Sequence, residues 1–189
     1  MTYIETALSG VVEIRPKVFG DERGYFFASF LEADFRRNVA DIRFVQDNES
    51  RSAHGVVRGL HFQTGSSAQA KLVRVVSGKV RDVAVELRHG SPTFGRYVAV
   101  DLDDESHNQI FLPRGFAHGF AVLSESAVVQ YKCDNYYDPS AEGGIAWNDP
   151  ALAIDWGIDP SEVILSAKDI CRPTLTEFVA GWDPANPVF

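Results

Sequence analysis

Short runs in which hydrophobic and polar residues alternate dominate this chain. In residues 79–87 the side chains fall on two faces with a period of two, one face reading Val80, Asp82, Ala84 and Glu86. The run before it, residues 71–76, is separated from it by Ser77-Gly78. This pattern predicts two antiparallel strands joined by a tight hairpin turn.

Further runs of the same kind occupy residues 11–14, 25–30, 44–46, 56–58, 94–102, 109–112, 116–123 and 127–133. Residues 31–39 have a helical pattern, and the polar run 46–50 has the composition of a solvent-exposed loop. The part after Asp134 is rich in Pro, Asp and Gly, which predicts loops and short helices. About ten short strands with little helix predict one all-β domain over residues 1–189, either a sandwich or a barrel.

The composition narrows the class of protein further. The 189 residues are 45% hydrophobic and carry a formal net charge of −8, which is typical of a folded domain and unfavourable for nucleic acid or an anionic membrane. Cys133 and Cys171 are too few for a disulfide framework. The first residues lack a signal-peptide pattern, and no apolar run approaches the roughly 20 residues that cross a bilayer. We expect a cytoplasmic protein with no nucleic-acid or membrane partner.

Four side chains have the chemistry to move protons beside a carbonyl group. They are His61 in the segment Arg58-Gly59-Leu60-His61-Phe62-Gln63, Lys71, Tyr131 and Asp169. An imidazole can act as a base near neutral pH, an ammonium can stabilise an oxyanion, a phenol can act as an acid, and a carboxylate can orient an imidazole. Each also has an ordinary structural interpretation in a strand or at its end. No loop typical of a nucleotide cofactor accompanies them.

The direction of Arg58 depends on the local backbone. In a regular strand, residues three apart face opposite sides, so Arg58 would point away from His61, whereas Gln63 would share its face. Gly59 favours a β-bulge that would turn Arg58 to the side of His61.

The segment Pro113-Arg114-Gly115-Phe116-Ala117-His118-Gly119 resembles the second motif of the cupin superfamily of small jelly-roll barrels. Its histidine often binds a metal there, together with two histidines and a glutamate of a first motif. The corresponding place here reads His61-Phe62-Gln63, so the ligand set is incomplete. We expect a cupin-type jelly roll without a catalytic metal. A metal-dependent cupin enzyme and a non-catalytic sugar-binding cupin are the alternatives.

Eight segments, in order, resemble the dTDP-4-dehydrorhamnose 3,5-epimerases, a family of homodimeric cupin-type jelly rolls. The resemblance covers almost the whole chain and is carried by residues 16–24, 44–48, 58–63, 71–75, 91–95, 115–120, 147–150 and 165–169. It implies epimerisation at C3 and C5 of dTDP-4-dehydro-6-deoxy-D-glucose, through enolates and without a cofactor, to dTDP-4-dehydro-L-rhamnose. An epimerase that acts at C3 or C5 alone is an alternative that the residues leave open.

The resemblance also implies residue roles. His61 would remove the protons next to the C4 ketone, with Asp169 orienting it. Tyr131 would deliver a proton on the opposite face, and Lys71 would stabilise the enolate oxygen. Tyr137 would stack on the thymine. The other residues around the nucleotide and sugar would be Arg23, Gln46, Asp47, Asn48, Arg58, His118, Glu142 and Lys168.

One position departs from the family pattern. The family usually reads Gly-aromatic-Phe-Phe-Glu-Ser-Phe after the Arg23 turn, whereas this chain reads Gly24-Tyr25-Phe26-Phe27-Ala28-Ser29-Phe30. The glutamate is a nucleotide contact in the family. Ala28 therefore bears on base recognition and leaves the proton chemistry untouched.

Overall fold

Two antiparallel sheets that face each other form the centre of the computed structural model, which describes residues 1–182. The six-stranded sheet has the order β1 (Thr2–Glu5), β2 (Val12–Arg15), β10 (Gln109–Leu112), β7 (Lys71–Ser77), β12 (Ser126–Cys133) and β5 (Gln46–Ala53). The five-stranded sheet has the order β13 (Glu142–Gly144), β6 (Val57–Gln63), β11 (Phe116–Val122), β8 (Lys79–Glu86) and β9 (Tyr97–Asp103). The fold is the predicted all-β jelly roll of the cupin type. Residues 183–189 of the predicted domain lie outside the described part.

Smaller elements surround the two sheets. They are a hairpin of β3 (Phe19–Asp21) and β4 (Gly24–Phe26), the helices α1 (Glu32–Asn38), α2 (Ala167–Ile170) and α3 (Leu175–Ala180), and single 3₁₀ turns at Gly65–Ser67, Pro139–Ala141 and Pro160–Glu162. Phe35 of α1 packs with Leu72 and Phe111 on the outer side of the six-stranded sheet. The C-terminal part covers the outer side of the other sheet through Leu152 and Trp156. Each sheet is thus covered on its inner face by the other sheet and on part of its outer face by these elements.

The core lies between the sheets. Its buried members come from both, among them Val73 and Val129 of the six-stranded sheet and Val80 and Phe120 of the five-stranded sheet. Each such side chain contributes roughly 1.5–3 kcal/mol when it leaves water. The predicted period of two in β8 is confirmed, because Val80 and Ala84 face this core while Val83 and Val85 face the C-terminal part.

Two strand predictions were wrong in detail. Residues 46–50, expected as a loop, belong to β5, whose outward side chains are exposed while Gln46, Asn48, Ser50 and Ser52 point inward. The strand was missed because polar residues occupy both of its faces. Residues 25–30 were expected to be one strand, but β4 ends at Phe26. The chain leaves the hairpin there because Phe30 packs with Phe35 and Phe44.

Candidate active site

A cavity of about 550 Å³ lies between the two sheets. Strand β6 of the five-stranded sheet forms one wall, and β5, β7 and β12 of the six-stranded sheet form the other. Of the predicted site residues, the cavity brings together His61, Lys71, Tyr131, Asp169, Gln46, Asn48, Arg58, Tyr137, Glu142 and Lys168.

A bulge in β6 places Arg58 and His61 on the same wall. His61 lies opposite His118 of β11 and Arg58 lies opposite Phe120, so three steps along β6 match two along β11. Gly59 at this point has a φ of 136°, and a Cβ there would lie 2.5 Å from the Cα of Gly119. Only glycine fits without rearrangement. The predicted bulge is confirmed, and both side chains line the cavity.

His61 forms a pair with Asp169. Nε2 of His61 lies 2.5 Å from Oδ1 of Asp169, although the residues are 108 positions apart. A carboxylate can only accept, so Nε2 carries the proton and donates it, which leaves Nδ1 of the neutral ring as the basic nitrogen. Asp169 is almost fully buried, at 3% exposure. The pair is arranged so that the carboxylate fixes the ring and stabilises an imidazolium when one forms.

The sequence around Asp169 explains how it is held. Ser166 is the N-cap of α2: its Oγ accepts a hydrogen bond from the backbone N–H of Asp169 and donates one to Oδ2 of the same residue, at 2.9 Å. Ahead of this cap, the N–H of Val57 donates to the carbonyl of Ile164. The segment that carries Asp169 is therefore tied to the start of β6, the strand of His61. Ser-x-x-Asp is a typical sequence at the start of a helix, and here the same serine also holds the side chain of Asp169.

The charge state of His61 suits a base. Burial lowers the pKa of His61 below its ordinary value, Asp169 opposes this through its hydrogen bond and its charge, and the cations of Lys71 and Arg172 lower the pKa further. A base must be neutral, and a neutral imidazole prevails above its pKa. The lowered pKa thus keeps His61 in the basic form at neutral pH.

Replacement of Asp169 by asparagine should keep the fold and lower kcat by about 10²-fold or more, because an amide cannot stabilise an imidazolium. Loss of the negative charge should also lower the pKa of His61, so the acidic limb of the kcat–pH profile should move to lower pH. Asp159→Asn is a matched control, since Asp159 caps the 3₁₀ turn Pro160–Glu162 outside the cavity. An acidic limb that stays in place would contradict the pairing.

Lys71 and Tyr131 lie on the wall opposite His61. The Lys71 Nζ is 5.8 Å from the centre of the Tyr131 ring. The Tyr131 hydroxyl makes no hydrogen bond to another residue of the described part, and burial raises the pKa of this phenol above its ordinary value, with Arg58 acting in the opposite direction. Tyr131 therefore stays protonated at neutral pH and can act as a donor into the cavity.

Glu142, which lines the cavity, interacts with one polar and two charged side chains. It accepts a hydrogen bond from the Tyr137 hydroxyl at 2.6 Å and pairs with Lys168 at 3.3 Å and with Arg172. The hydrogen bond from Tyr137, with those from Arg172 and Lys168, lowers the pKa of Glu142 to about 2, against the effect of burial. The carboxylate is thus ionised and neutralised by its neighbours, which lets a negatively charged ligand approach.

Three predicted site residues do not line the cavity. Arg23 is exposed on the β3–β4 hairpin and pairs with Asp21. Asp47 points to the outer side of β5 and pairs with Lys132 at 2.9 Å. His118 is buried beside the cavity, with its Nε2 2.8 Å from Asp82. Their predicted contacts with substrate stay predictions.

Gln63, at the place of a second cupin histidine, has a structural task. Its side-chain amide donates to the carbonyls of Ser67 and Tyr136 and accepts from the N–H of Asp138. It therefore ties two loops to the end of β6. Within residues 1–182, no three His, Cys, Asp or Glu side chains come together as a metal-binding group.

Two polar residues at the site, Gln69 and Arg172, lie outside every motif segment that the sequence analysis singled out. Gln69 lines the cavity and donates to the carbonyl of Asn135. Arg172 forms a salt bridge with Glu142, which lines the cavity. Neither belongs to a periodic strand or to a motif, so the sequence carries no signal for them.

Comparisons with known proteins show what this chain is similar to. A sequence model described as dTDP-4-dehydrorhamnose 3,5-epimerase matches residues 5–177. The dTDP-4-dehydrorhamnose 3,5-epimerase of Salmonella typhimurium is 51% identical over 94% of this chain and 97% of its own length. A dTDP-6-deoxy-D-glucose-3,5-epimerase from Legionella pneumophila, solved with dTDP-4-keto-L-rhamnose, has a TM-score of 0.92 and 45% identity over 100% of this chain and 98% of that chain. A 3'-monoepimerase from Streptomyces bikiniensis, solved with dTDP-quinovose, has a TM-score of 0.86 and 32% identity, covering 94% and 90%.

The jelly roll and its acid–base cavity, with relatives of this kind, define an isomerase of the carbohydrate-epimerase class. The chain belongs to the dTDP-4-dehydrorhamnose 3,5-epimerase family.

Proposed function

We propose that the protein epimerises C3 and C5 of dTDP-4-dehydro-6-deoxy-D-glucose to give dTDP-4-dehydro-L-rhamnose in dTDP-L-rhamnose biosynthesis. The observation that carries this proposal is the placement of His61 and Tyr131 on facing sheets across one cavity. Both carbons flank the same C4 ketone, so one enolate-stabilising site can serve both. The higher identity to the 3,5-epimerases than to the monoepimerase favours action at both carbons.

The proposed chemistry uses the two walls in turn. Nδ1 of His61 removes the proton on carbon next to the ketone, and the electron pair moves to the C4 oxygen. Lys71, on the other sheet, supplies positive charge for that oxygen. Tyr131 then delivers a proton to the opposite face of the carbon, which inverts it, and the electron pair returns from the C4 oxygen to restore the ketone. The imidazolium of His61 releases its proton to solvent, and the phenolate takes one from solvent.

The remaining cations of the cavity suit a diphosphate. Arg58 lines the cavity and donates to Ser52, and it pairs with no carboxylate in residues 1–182. Lys168 is largely exposed and is held by Glu142. A guanidinium and an ammonium at the mouth can bind phosphate oxygens, while Tyr137 offers a ring for the base.

An NMR assay with the dTDP-4-keto sugar in deuterated water tests the proposal. Deuterium should enter at C3 and at C5, and the L-sugar should form. Deuterium at one carbon only would identify a mono-epimerase, and no deuterium at either carbon would overturn the proposal.

We place the protein in the cytoplasm, where nucleotide sugars are made and used. No helix in residues 1–182 has the length and apolar character needed to cross a membrane.

We expect a homodimer. The β3–β4 hairpin exposes Phe19, Tyr25 and Phe26, the last at 71%, and β1 is an edge of its sheet. Aromatic rings and an open edge favour a partner. β2 is hydrogen-bonded on both sides, so β1 is the N-terminal strand with an edge that can pair across the interface. Light scattering at micromolar concentration should give about twice 20.9 kDa; the monomer mass would contradict the dimer.

The position of Arg23 sharpens this expectation. Since Arg23 lies outside the cavity of its own chain, it can meet substrate only if the hairpin of one protomer reaches the cavity of its partner. Mixed dimers of Arg23→Ala and His61→Ala chains should then regain activity, because one of their two cavities has both residues intact. Mixtures as inactive as His61→Ala alone would argue that Arg23 does not act across the interface.

A further inference from the structure

A buried carboxylate lies just behind the cavity and has no part in the proposed chemistry so far. Asp82, in the middle of β8, is 0% exposed. It faces the space between the sheets, as do its neighbours Val80 and Ala84, which belong to the hydrophobic core. A carboxylate in such a place is costly unless charges or hydrogen bonds compensate it.

Only one of the two oxygen atoms of the Asp82 carboxylate accepts a hydrogen bond from the described residues. Its Oδ2 accepts a hydrogen bond from Nε2 of His118 at 2.8 Å. Its Oδ1 is buried and accepts no hydrogen bond from the described residues. Asp82 also forms no direct ion pair with a lysine or arginine of residues 1–182. A cation across the interior would supply further compensation.

Lys71 is the cation that fits. It lines the cavity from β7 of the facing sheet, and its Nζ makes no hydrogen bond or ion pair within the described part. Burial lowers the pKa of Lys71, and the two groups that raise it are Cys133 and Asp82. The pKa of the Cys133 thiol is raised by burial to about 11, so that thiol is neutral at neutral pH. Asp82 is then the group whose charge keeps the ammonium.

We propose that Asp82, fixed by His118, is a positioning residue that holds Lys71 as a charged ammonium at the floor of the cavity. The inference rests on the proposed function, because a protonated Lys71 is what stabilises the enolate oxygen. It gives the buried Asp82–His118 pair a task in the reaction, acting through Lys71 without touching the sugar.

The sign of the pH effect follows from the groups around Lys71. These are Asp82 on β8, Cys133 and Tyr131 on β12, and His61 on β6. An ammonium is present below its pKa and is lost as the pH rises through it. Removal of the Asp82 charge disfavours the ammonium, so Lys71 should lose its proton at lower pH.

The test is an NMR titration of ¹³C-labelled lysine side chains in the wild type and in Asp82→Asn, with the Lys71 signal identified by its absence in Lys71→Arg. The Lys71 titration should move to lower pH in Asp82→Asn, and so should the alkaline limb of its kcat–pH profile. At neutral pH kcat should fall by less than the roughly 10²–10³-fold that loss of an oxyanion donor costs. Asp101→Asn is the matched control, since Asp101, on the neighbouring strand β9, pairs with Lys79 and Arg81 of β8.

An unchanged Lys71 titration in Asp82→Asn would overturn the inference. The titration does not require turnover, so a wild type that fails to epimerise would count against the proposed function and leave this result standing.

Thermal unfolding in the Lys71→Met background tests the same inference should Asp82→Asn fold poorly. Asp82→Asn should raise the Tm there, because it removes a buried charge that has lost its counter-ion. A Tm lowered in both backgrounds, or a double variant that does not fold, would show a merely structural role and overturn the inference.

Discussion

His61→Ala should lose nearly all turnover, with kcat lower by about 10²–10⁴-fold, while dTDP still binds. The alanine removes the basic nitrogen and leaves in place Arg58, Lys168 and Tyr137, which line the cavity and are proposed to hold the nucleotide. Deuterium uptake should fall together with product formation, because no proton can leave the sugar. NMR for turnover and calorimetry for dTDP binding measure the two effects separately.

His54→Ala provides the matched control for this change. His54 is exposed in the turn between β5 and β6, and its Nδ1 lies 3.2 Å from the carbonyl of Ser124, outside the cavity. Its loss should leave turnover unchanged. Loss of a general base lowers activity far more than about threefold. If His61→Ala kept its activity within about threefold of the wild type, the assignment of His61 as the base would be wrong.

Tyr131→Phe should separate proton exchange from inversion. The change keeps the ring and deletes only the hydroxyl, so His61 can still remove a proton and return one to the same face. Deuterium should therefore enter the substrate while net inversion, at C5 especially, falls. The decisive measurement is deuterium wash-in against product formation in one sample.

Parallel loss of exchange and inversion in Tyr131→Phe would show that the phenol is needed for deprotonation or binding, and its role as opposite-face acid would be refuted. Tyr97→Phe is the control. Tyr97 lies on β9 away from the cavity, where its hydroxyl accepts a hydrogen bond from the N–H of Asp155. It should leave the ratio of exchange to inversion as in the wild type.

The strands that could be predicted from sequence are those with one face in the core. β8 alternates hydrophobic and polar residues because Val80 and Ala84 pack between the sheets. β5 could not be predicted, because its inward face points partly into a polar cavity through Gln46 and Asn48. The hydrophobic pattern of a strand is lost where its inward face lines a polar cavity in place of the core.

The site could be predicted from sequence where a local rule or a motif marks it. Gly59 signalled the bulge that turns Arg58, whereas the Ser166 cap that fixes Asp169 was not predicted. The contact between His61 and Asp169 has no local signal, since 108 positions separate them and the resemblance alone related them. The tie from Arg172 to Glu142 had neither, because it depends on how the C-terminal part wraps around β13.

The two walls of the cavity belong to different sheets, so the hydrophobic core between the sheets determines how far apart the walls lie. The separation of the proposed base and acid depends on side chains packed between the sheets, such as Val73 and Phe120, and Tyr131 itself packs against this cluster. Proton removal needs one wall, whereas inversion needs both walls at the right separation. On the proposed chemistry, the proportion of exchanged sugar that is also inverted should therefore depend on the packing of the barrel, and it should change with pressure or temperature before the barrel unfolds.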